Sequence, residues 1–479
     1  MLKRFFTGKD TPFWLLTFSI IILLTLPRLI KDGMFLDGML YTCVSHNLSR
    51  GIGTFWFPVF SSSYFKSGSP FFLEHPPLVF GIQSLFYKIL GDSMYVERLY
   101  VFLTMCFTAF LIHLIWKIIF RKDNELKGIS WLPILFWITI PSCSWSYSYN
   151  MMENTMGLFC LAAVISVLKA VESDQNRPGL LILSGTFVFL ATFSKGIPGL
   201  FPLSVPFLYW LIIRKKTFLN TIISSLIILS VPVLLYFILF NLPQSKENLT
   251  FYFTHRLLAR IQNDPTVSSR FNILMRLVFE LIPQILLVGL VIIIDRIKKY
   301  NQHLFQFSDY SIFFISIGLS ASIPLMLTLV QRGFYLVPSF PYFGIGFSII
   351  IAPVIQLLRI NLSNNPVKKR LLLVVGLIAF VITIAFSIAQ LGKSSRDKEM
   401  LHDVYAIGKE IPKNSAITIN SDLASVYVLQ CYFIRYFNIS LFVNVPKEYY
   451  LTKKTSGFVN KAYEKLRIET RLYDIYKRK

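Results

Sequence analysis

The sequence has few charged residues and, among these, few acidic ones. Only 15% of its 479 residues are Asp, Glu, Lys or Arg, whereas a soluble protein has about a quarter. Lys and Arg outnumber Asp and Glu by 48 to 25, which gives a formal net charge of +23. The shortage of charge excludes an ordinary soluble enzyme and a disordered chain. No nucleic-acid-binding motif accompanies the basic excess. We therefore predict no nucleic-acid partner and assign the charge to loops that face anionic membrane lipids.

Cysteine is also scarce and is not arranged in CxxC pairs. The five cysteines are Cys43, Cys106, Cys143, Cys160 and Cys431. Because their number is odd and three of them lie in apolar runs, we interpret them as buried thiols that act as small hydrophobic side chains. By themselves they do not define a redox compartment.

Long apolar runs are what the sequence has in abundance. Hydrophobic residues make up 54% of the chain and the mean hydropathy is +0.57. A bilayer core needs roughly 20 apolar residues per helix. Runs of about that length occupy 12–30, 99–119, 129–148, 154–171, 179–194, 197–213, 218–240, 273–294, 309–330, 336–358 and 371–391. The sequence predicts an α-helical polytopic membrane protein with about eleven spans, ten or twelve being the alternatives, and an uncleaved first span.

Short basic loops predict the orientation of these spans. If eleven spans alternate, the basic clusters all fall on one side, which is cytoplasmic by the positive-inside rule. The clusters are Lys3/Arg4/Lys9, Arg121/Lys122/Lys127, Arg214/Lys215/Lys216, Arg296/Lys298/Lys299 and Lys368/Lys369/Arg370. The amino terminus is then cytoplasmic, and the segment after Leu391 is external.

Two long loops and the carboxyl-terminal tail are predicted on the external side. The loops cover about 31–98 and 241–272, and we expect them to form a site on a membrane domain comprising 1–392. The tail, 393–479, changes composition and is predicted to be a small periplasmic α/β domain. Its predicted elements are a strand at 415–419, a helix at 422–436 and a strand at 439–445.

Two acidic positions in the first external loop are candidates for chemistry. Asp37 lies just after the first span, where a carboxylate can act as a general base on a hydroxyl; a solvated loop acid or a helix N-cap is the alternative. Glu74 and His75 precede Pro76-Pro77, which fixes an extended turn. This corner either presents a carboxylate and an imidazole to a phosphate or metal, or merely starts a surface helix.

Charged residues near the ends of later spans are further candidates. Glu153 lies so close to an apolar helix that it requires a partner. Lys195 either snorkels to the membrane interface or neutralises Glu153 or a ligand anion. The cations Arg256, Arg260 and Arg332 suit phosphate oxygens, as does the Tyr335 hydroxyl. Contacts with lipid headgroups and a belt of anchoring residues are the alternatives.

The predicted topology places all of these candidates on the external side. A transporter would more often carry ionisable groups near mid-membrane, whereas these spans contain few charges. The pattern therefore favours surface chemistry. A lipid or polysaccharide transporter is the non-enzyme alternative, and a non-catalytic membrane scaffold is another.

Together the motifs resemble those of a known superfamily. The shared features are Asp37 after the first span, Tyr41 four residues later, the acidic-x-Pro-Pro-Leu corner, Arg98, the Ser-Lys-Gly-x-Pro-Gly element at 194–199 and the Arg-x-x-Tyr-x-x-Pro-x-x-Pro element at 332–341. They resemble the GT-C glycosyltransferases, and more closely the glycosyltransferase family 39-like group of protein O-mannosyltransferases and aminoarabinose transferases. The resemblance covers most of residues 10–345.

The resemblance implies roles for these residues and a polyprenyl-phosphate-linked sugar as donor. It implies Asp37 as the catalytic acid/base and Glu153 as the supporting acid. The substrate-binding residues implied or predicted are Tyr41, Glu74, His75, Lys195, Arg256, Arg260, Arg332 and Tyr335. Gly38 stands where the family often has a second acid, and His75 stands where it often has Lys.

A divalent metal is the one cofactor that the sequence raises. Glu74 and His255 form the predicted pair of metal ligands. Two protein ligands are too few for a structural zinc site.

The predicted function is sugar transfer from a polyprenyl-phosphate donor to a glycolipid or surface polysaccharide by inverting, one-step displacement. Transfer to protein Ser or Thr is the alternative acceptor chemistry. The membrane is predicted to be a bacterial inner membrane.

Overall fold

The computed structural model describes residues 8–63, 70–173, 175, 177–258, 265–300, 306–457 and 460–479. It divides into two compact units. The membrane unit comprises Met1–Leu29, Val101–Ser148 and Met152–Gln390. The loop–tail unit comprises Ile30–Tyr100, Tyr149–Met151 and Leu391–Lys479.

Most of the described chain is helical. In chain order the α-helices are α1 (Thr11–Leu29), α2 (Leu36–Ser49), α3 (Leu78–Leu90), α4 (Tyr95–Ile119), α5 (Asn124–Gly128), α6 (Trp131–Ile138), α7 (Pro141–Ser146), α8 (Met152–Val171), α9 (Pro178–Lys195), α10 (Val205–Leu208), α11 (Phe218–Phe240), α12 (Pro243–Phe251), α13 (Asn272–Lys298), α14 (Ser308–Ser322), α15 (Phe340–Asn364), α16 (Pro366–Ile388), α17 (Lys398–Glu410), α18 (Ser421–Ala424) and α19 (Tyr427–Phe437). Short 3₁₀ segments cover Ile197–Ser204, Ile323–Leu327, Gly333–Ser339 and Lys454–Ser456, and π-helical turns cover Tyr209–Ile213 and Tyr252–Leu258.

The long apolar helices make the chain a multi-pass membrane protein. Nine stretches of the described residues are long and apolar enough to cross a membrane: α1, α4, α8, α9, α11, α13, α16, Ser308–Leu327 and Gly333–Asn364. They correspond to nine of the eleven predicted spans. The helix α8 is the most buried of them, with 78% of its apolar window inside the protein.

The other two predicted spans are not single long α-helices, so the count of eleven is not confirmed. The run 129–148 is divided into the short helices α6 and α7, because the chain is extended at Ile140 before Pro141. The run 197–213 alternates between 3₁₀, α and π turns. Prolines at 198, 202 and 206 remove backbone donors from it, which prevents a regular helix.

The tail contains the predicted α/β elements and three further strands. Its strands are β1 (Ala416–Ile419), β2 (Ser440–Val443), β3 (Tyr449–Lys453), β4 (Tyr463–Lys465) and β5 (Tyr473–Arg478). They form one sheet in the order β2-β1-β3-β5-β4, in which β1 pairs parallel with β2 and β3, and β5 pairs antiparallel with β3 and β4. The α18–α19 segment between β1 and β2 is the crossover that parallel neighbours require. This sheet belongs to the same compact unit as residues 30–100, a grouping that the sequence did not indicate.

Candidate functional site

A buried ion pair lies in the membrane unit. Glu153 is in the first turn of α8 and Lys195 is the last residue of α9. The Lys195 Nζ lies 2.5 Å from Glu153 Oε1, and the two side chains are 9% and 1% exposed. A charge this deeply buried is tolerated only when it is paired. Of the two sequence alternatives for Lys195, the structure therefore shows neutralisation of Glu153.

Two aromatic rings lie beside this ion pair. The Lys195 Nζ lies 5.8 Å from the ring centroid of Phe334 and 5.6 Å from that of Tyr335. Trp145 stacks on Phe334, with 5.8 Å between ring centroids. An ammonium group is attracted to an aromatic face at such distances. Three separated sequence motifs, at 149–154, 194–199 and 332–341, thus contribute to the surroundings of one cation.

The two glycines of the 194–199 motif are explained by close packing. Gly196 has φ +96°, and a Cβ there would lie 2.0 Å from the Tyr252 hydroxyl. That hydroxyl donates a hydrogen bond to the Lys195 carbonyl at 3.4 Å. A Cβ on Gly199 would lie 2.7 Å from the backbone of Thr192. The motif therefore ends α9 abruptly and folds the chain back over it, which fixes the backbone of Lys195.

A second buried carboxylate in this unit was missed by the sequence analysis. Glu280, in α13, accepts hydrogen bonds from the Ser142 amide at 2.8 Å and from the Ser142 hydroxyl at 2.6 Å. Arg276 lies 2.7 Å from the same carboxylate, and its Nε is 3.0 Å from the Cβ position of Gly333. Glu280 thus caps the start of α7 and holds Arg276 beside the 332–341 motif. An acid and a base four residues apart in a span were the available signal.

Two predicted residues of the 241–272 segment, His255 and Arg256, lie in a π-helical turn. His255 is exposed, stacks on Phe251 at 4.4 Å and lies 2.8 Å from the Thr254 hydroxyl through Nδ1. Arg256 is half-buried. Both residues lie in the π turn Tyr252–Leu258.

Two predicted cations remain to be placed. Arg260 lies outside the described residues, so its role stays a prediction. Arg332 is exposed and directly precedes the 3₁₀ segment that carries Tyr335, which is half-buried. Tyr335 therefore contributes to the surroundings of Lys195, whereas Arg332 points to a more accessible position.

A resident metal would need more ligands than the two that the sequence offers. Over the described ranges, no three His, Cys, Asp or Glu side chains are grouped closely enough to hold an ion. Of the predicted pair, Glu74 belongs to the loop–tail unit and His255 to the membrane unit. The metal stays a prediction, and no chemical step is derived through it.

The helix α2 carries Asp37 in the loop–tail unit. Asp37 lies in the first turn of α2, partly exposed, where the helix dipole stabilises a negative charge. Tyr41 follows one turn later, and its hydroxyl lies 3.2 Å from His75 Nε2. Glu74 and His75 are 8% and 5% exposed, so the Pro-Pro corner is buried rather than superficial. Because residues four apart share a helix face, Asp37 and Tyr41 lie on one side of α2. His75 lies beside the Tyr41 hydroxyl on that side.

A close approach of Asn150 to α2 explains the glycine that follows Asp37. A Cβ on Gly38 would lie 3.0 Å from the Asn150 amide nitrogen. The Asn150 side chain exchanges two hydrogen bonds of 2.8 Å with Gln83 and donates a third, of 2.9 Å, to Thr42. The position after Asp37 has no room for the second acid that the family often has there.

The tail holds the segment that precedes α2. The Asp32 amide donates to the Lys393 carbonyl at 2.9 Å, and the Ser395 amide donates to the Asp32 carbonyl at 2.7 Å. The Asp32 carboxylate accepts hydrogen bonds of 2.6 Å from the hydroxyls of Tyr405 and Tyr436. Backbone and side chain of this residue are therefore both fixed by the tail.

The next two residues are held in the same way. Gly33 has φ +84°, and a Cβ there would lie 2.7 Å from the Arg396 carbonyl oxygen. The Met34 amide donates to the Tyr432 hydroxyl at 3.2 Å, and that hydroxyl donates to Asp397 at 2.9 Å. Since α2 begins two residues after Met34, the tail determines where the helix of Asp37 starts.

A buried cluster of charges also joins the tail to residues 87–98 of the same unit. Glu97 is 1% exposed and accepts hydrogen bonds from Tyr87, Arg98 and Arg435 at 2.8, 2.6 and 3.2 Å. Arg435, on α19, also lies 3.0 Å from Asp92. Two cations and two carboxylates thus satisfy one another across elements of the loop–tail unit. Glu97 and Arg98 directly precede the predicted span 99–119. An adjacent acid and base at the start of an apolar run is the sequence feature that could have indicated this cluster.

His46 at the edge of this cluster predicts a pH dependence of stability. Burial, reinforced by the charge of Arg435, lowers the pKa of His46 from 6.5 to about 4, although Asp92 lies 2.5 Å from its Nε2. The imidazole is therefore neutral in the folded protein but protonated in the unfolded chain below about pH 6.5. Stability is complete above that pH and falls as the pH drops towards 4, by up to about 3 kcal/mol. Thermal unfolding at pH 7.5 and pH 5 should show a larger loss for the wild type than for His46→Gln. Equal losses in the two proteins would contradict this assignment.

Comparisons with known proteins support the motifs and the fold. Residues 74–240 match the family model described as dolichyl-phosphate-mannose-protein mannosyltransferase. The apo crystal structure of ArnT from Cupriavidus metallidurans is similar with a TM-score of 0.65 and 12% identity, over 98% of each chain. The same protein bound to undecaprenyl phosphate gives a TM-score of 0.64 at 12% identity, over 96% of this chain and 97% of that one.

More distant structures share the fold over a smaller part. The apo oligosaccharyltransferase of Archaeoglobus fulgidus gives a TM-score of 0.54 at 11% identity, covering 93% of this chain and 70% of that chain. No curated protein matches the sequence. Because the likeness to ArnT extends over almost all of both chains, the chain is a multi-pass membrane protein with an ArnT-like GT-C fold.

Proposed function

We propose that the chain is a glycosyltransferase that uses a polyprenyl-phosphate-linked sugar and transfers it to an acceptor at the outer face of a bacterial inner membrane. The observation that carries this proposal is the buried Glu153–Lys195 pair beside Tyr335 and Phe334. Lys195, Phe334 and Tyr335 come from the 194–199 and 332–341 elements that resemble the GT-C group, and the same resemblance implies Glu153 as the supporting acid. The similar ArnT structure holds undecaprenyl phosphate, which supports a lipid-phosphate donor here.

Lys195 is proposed to receive the donor phosphate. Departure of the lipid phosphate from the sugar C1 leaves a new negative charge on a phosphate oxygen. A cation that is already held in place stabilises this charge without reorganisation, and burial strengthens the interaction. Glu153 holds Lys195 in place before the donor binds. Arg276, close to Gly333, supplies a second cation on the same unit.

Asp37 is proposed to act on the acceptor. It would accept the proton of an acceptor hydroxyl while the hydroxyl oxygen bonds to C1 and the bond from C1 to the phosphate oxygen breaks. This single displacement inverts the anomeric centre. If the acceptor is already an anion, no proton is removed and Asp37 positions it.

A glycolipid or surface polysaccharide is the proposed acceptor, and protein Ser or Thr is the alternative. The match of 74–240 to a protein mannosyltransferase model keeps the second acceptor open. Membranes that contain the protein should be incubated with undecaprenyl-phosphate donors carrying labelled pentoses or hexoses. We expect chain-dependent release of undecaprenyl phosphate, with label recovered in the glycolipid, polysaccharide or protein fraction, which identifies the acceptor. Movement of intact donor across sealed vesicles without bond cleavage would instead establish a transporter.

Tyr432 provides a test of how the tail supports Asp37. The variant Tyr432→Phe keeps the ring but removes the hydroxyl between Met34 and Asp397, so the start of α2 loses its fixed position. Small displacements of a catalytic group reduce turnover strongly, and we expect kcat to fall by on the order of tenfold with KM for the donor unchanged. The matched control is Tyr463→Phe, which removes a hydroxyl hydrogen bond to the Lys447 carbonyl elsewhere in the tail. Equal kcat values for the two variants would contradict the supporting role of Tyr432.

A further inference from the structure

Two of the cysteines lie outside the apolar helices of the membrane unit, and these two contact each other. Cys43 is on α2 and Cys431 is on α19, both within the loop–tail unit. The Cys43 thiol donates to the Cys431 carbonyl at 3.2 Å, and both cysteines are free thiols in the structure. The residues are separated by 388 positions, and both side chains are fully buried. The sequence does not indicate this pair, because the total of five cysteines is odd. The other three, Cys106, Cys143 and Cys160, lie on α4, α7 and α8 of the membrane unit.

We propose that Cys43 and Cys431 are joined by a disulfide when the loop–tail unit folds outside the cytoplasm. A disulfide requires two cysteines that lie close together, and the Cys43 sulfur already lies 3.2 Å from the backbone of Cys431. Disulfides persist in the bacterial periplasm, where the proposed orientation places this unit. The inference goes beyond the proposed transfer reaction and depends only on that location.

The bond would form by thiol–disulfide exchange. The oxidant is a disulfide R–S–S–R of an exchange protein or small thiol. Cys43–SH and Cys431–SH lose two protons and two electrons to give Cys43–S–S–Cys431, and the oxidant is reduced to two R–SH. Burial raises the pKa of the Cys431 thiol and shields it, so exchange is slow once the unit is folded. The bond therefore forms during folding and is afterwards protected from reductants.

The cross-link would act on the helix that carries Asp37. It closes a loop of 388 positions, and a long closed loop restricts the unfolded chain strongly. It also fastens α2 to α19, the helix that carries Tyr432 and Arg435. The disulfide would thus reinforce covalently the same attachment that Asp32, Met34 and Glu97 make by hydrogen bonds and charge.

Counting reactive thiols tests the proposal on the full chain. Membranes are prepared from a bacterium that inserts the protein into its inner membrane, and thiol exchange is quenched with acid. The protein is then denatured and treated with iodoacetamide, before and after reduction. Intact mass should show three alkylated cysteines before reduction and five after it, and peptide mapping should link Cys43 to Cys431. For Cys43→Ser we expect four in both samples. The control Cys106→Ser should give two before reduction and four after it.

Two results would overturn the proposal. One is alkylation of all five wild-type cysteines without reduction; the other is a disulfide that links a different pair. The measurement needs no sugar donor, so either result leaves the proposed transfer reaction to be judged by its own assay. Conversely, absence of glycosyl transfer would not alter the thiol count.

Discussion

The variant Asp37→Asn is expected to lose sugar transfer while remaining folded and inserted in the membrane. Asparagine has nearly the same shape as aspartate but accepts no proton at neutral pH. General-base catalysis contributes about 10²- to 10⁴-fold, so turnover should fall at least a hundredfold. The measurement is release of undecaprenyl phosphate from labelled donor by purified protein, with melting temperature as the check on folding. Asp37 is partly exposed at the start of α2, so its replacement should change the melting temperature little.

The control for Asp37→Asn is a carboxylate of the same unit outside the proposed site. Asp422→Asn makes the same chemical change at an exposed position on α18. It should transfer sugar like the wild type. Wild-type turnover in Asp37→Asn would remove Asp37 from the mechanism. A hundredfold loss in Asp422→Asn would show that the assay responds to any loss of charge.

Single and double variants of the Glu153–Lys195 pair should show different effects on stability and on sugar transfer. Removing one partner of a buried ion pair leaves an uncompensated charge and costs about 3–5 kcal/mol, whereas removing both charges costs far less. We therefore expect Glu153→Gln and Lys195→Met each to lower the melting temperature, and the double variant to recover most of that loss. Transfer should not recover in the double variant, because the proposed cation for the donor phosphate is still absent. Thermal unfolding and donor kinetics of the four proteins test both expectations.

A peripheral ion pair serves as the comparison for this cycle. Lys465 lies 2.8 Å from Asp474 in the tail, with the lysine side chain 55% exposed. The same double-mutant cycle there should show little coupling, because solvent screens an exposed pair, and normal transfer. If the Glu153/Lys195 double variant transferred sugar at the wild-type rate, the pair would be purely structural.

The apolar pattern predicted most of the fold. A helix that must satisfy its own backbone in lipid leaves an unbroken run of apolar residues, so α1, α11 and α13 were located to within a few residues. The same pattern failed at 129–148 and 197–213, because hydropathy counts apolar side chains and does not register missing backbone donors. Prolines at 141, 198, 202 and 206 break these runs although both are apolar enough to span.

The site was only partly accessible from sequence. Glu153 and Lys195 were identified because a charge near an apolar helix is costly, and that cost also required a partner. The attachment of α2 by Tyr432 and the contact between Cys43 and Cys431 could not be derived, since each joins positions almost 400 residues apart. No local spacing or periodicity carries such information; it appears only once the chain has folded.

A structure of the full chain with undecaprenyl phosphate tests the central claim most directly. The claim is that the buried Lys195 receives the phosphate of the lipid donor. The account predicts the lipid phosphate within hydrogen-bonding distance of Lys195 Nζ, about 3 Å. A phosphate bound away from Lys195 would contradict the account.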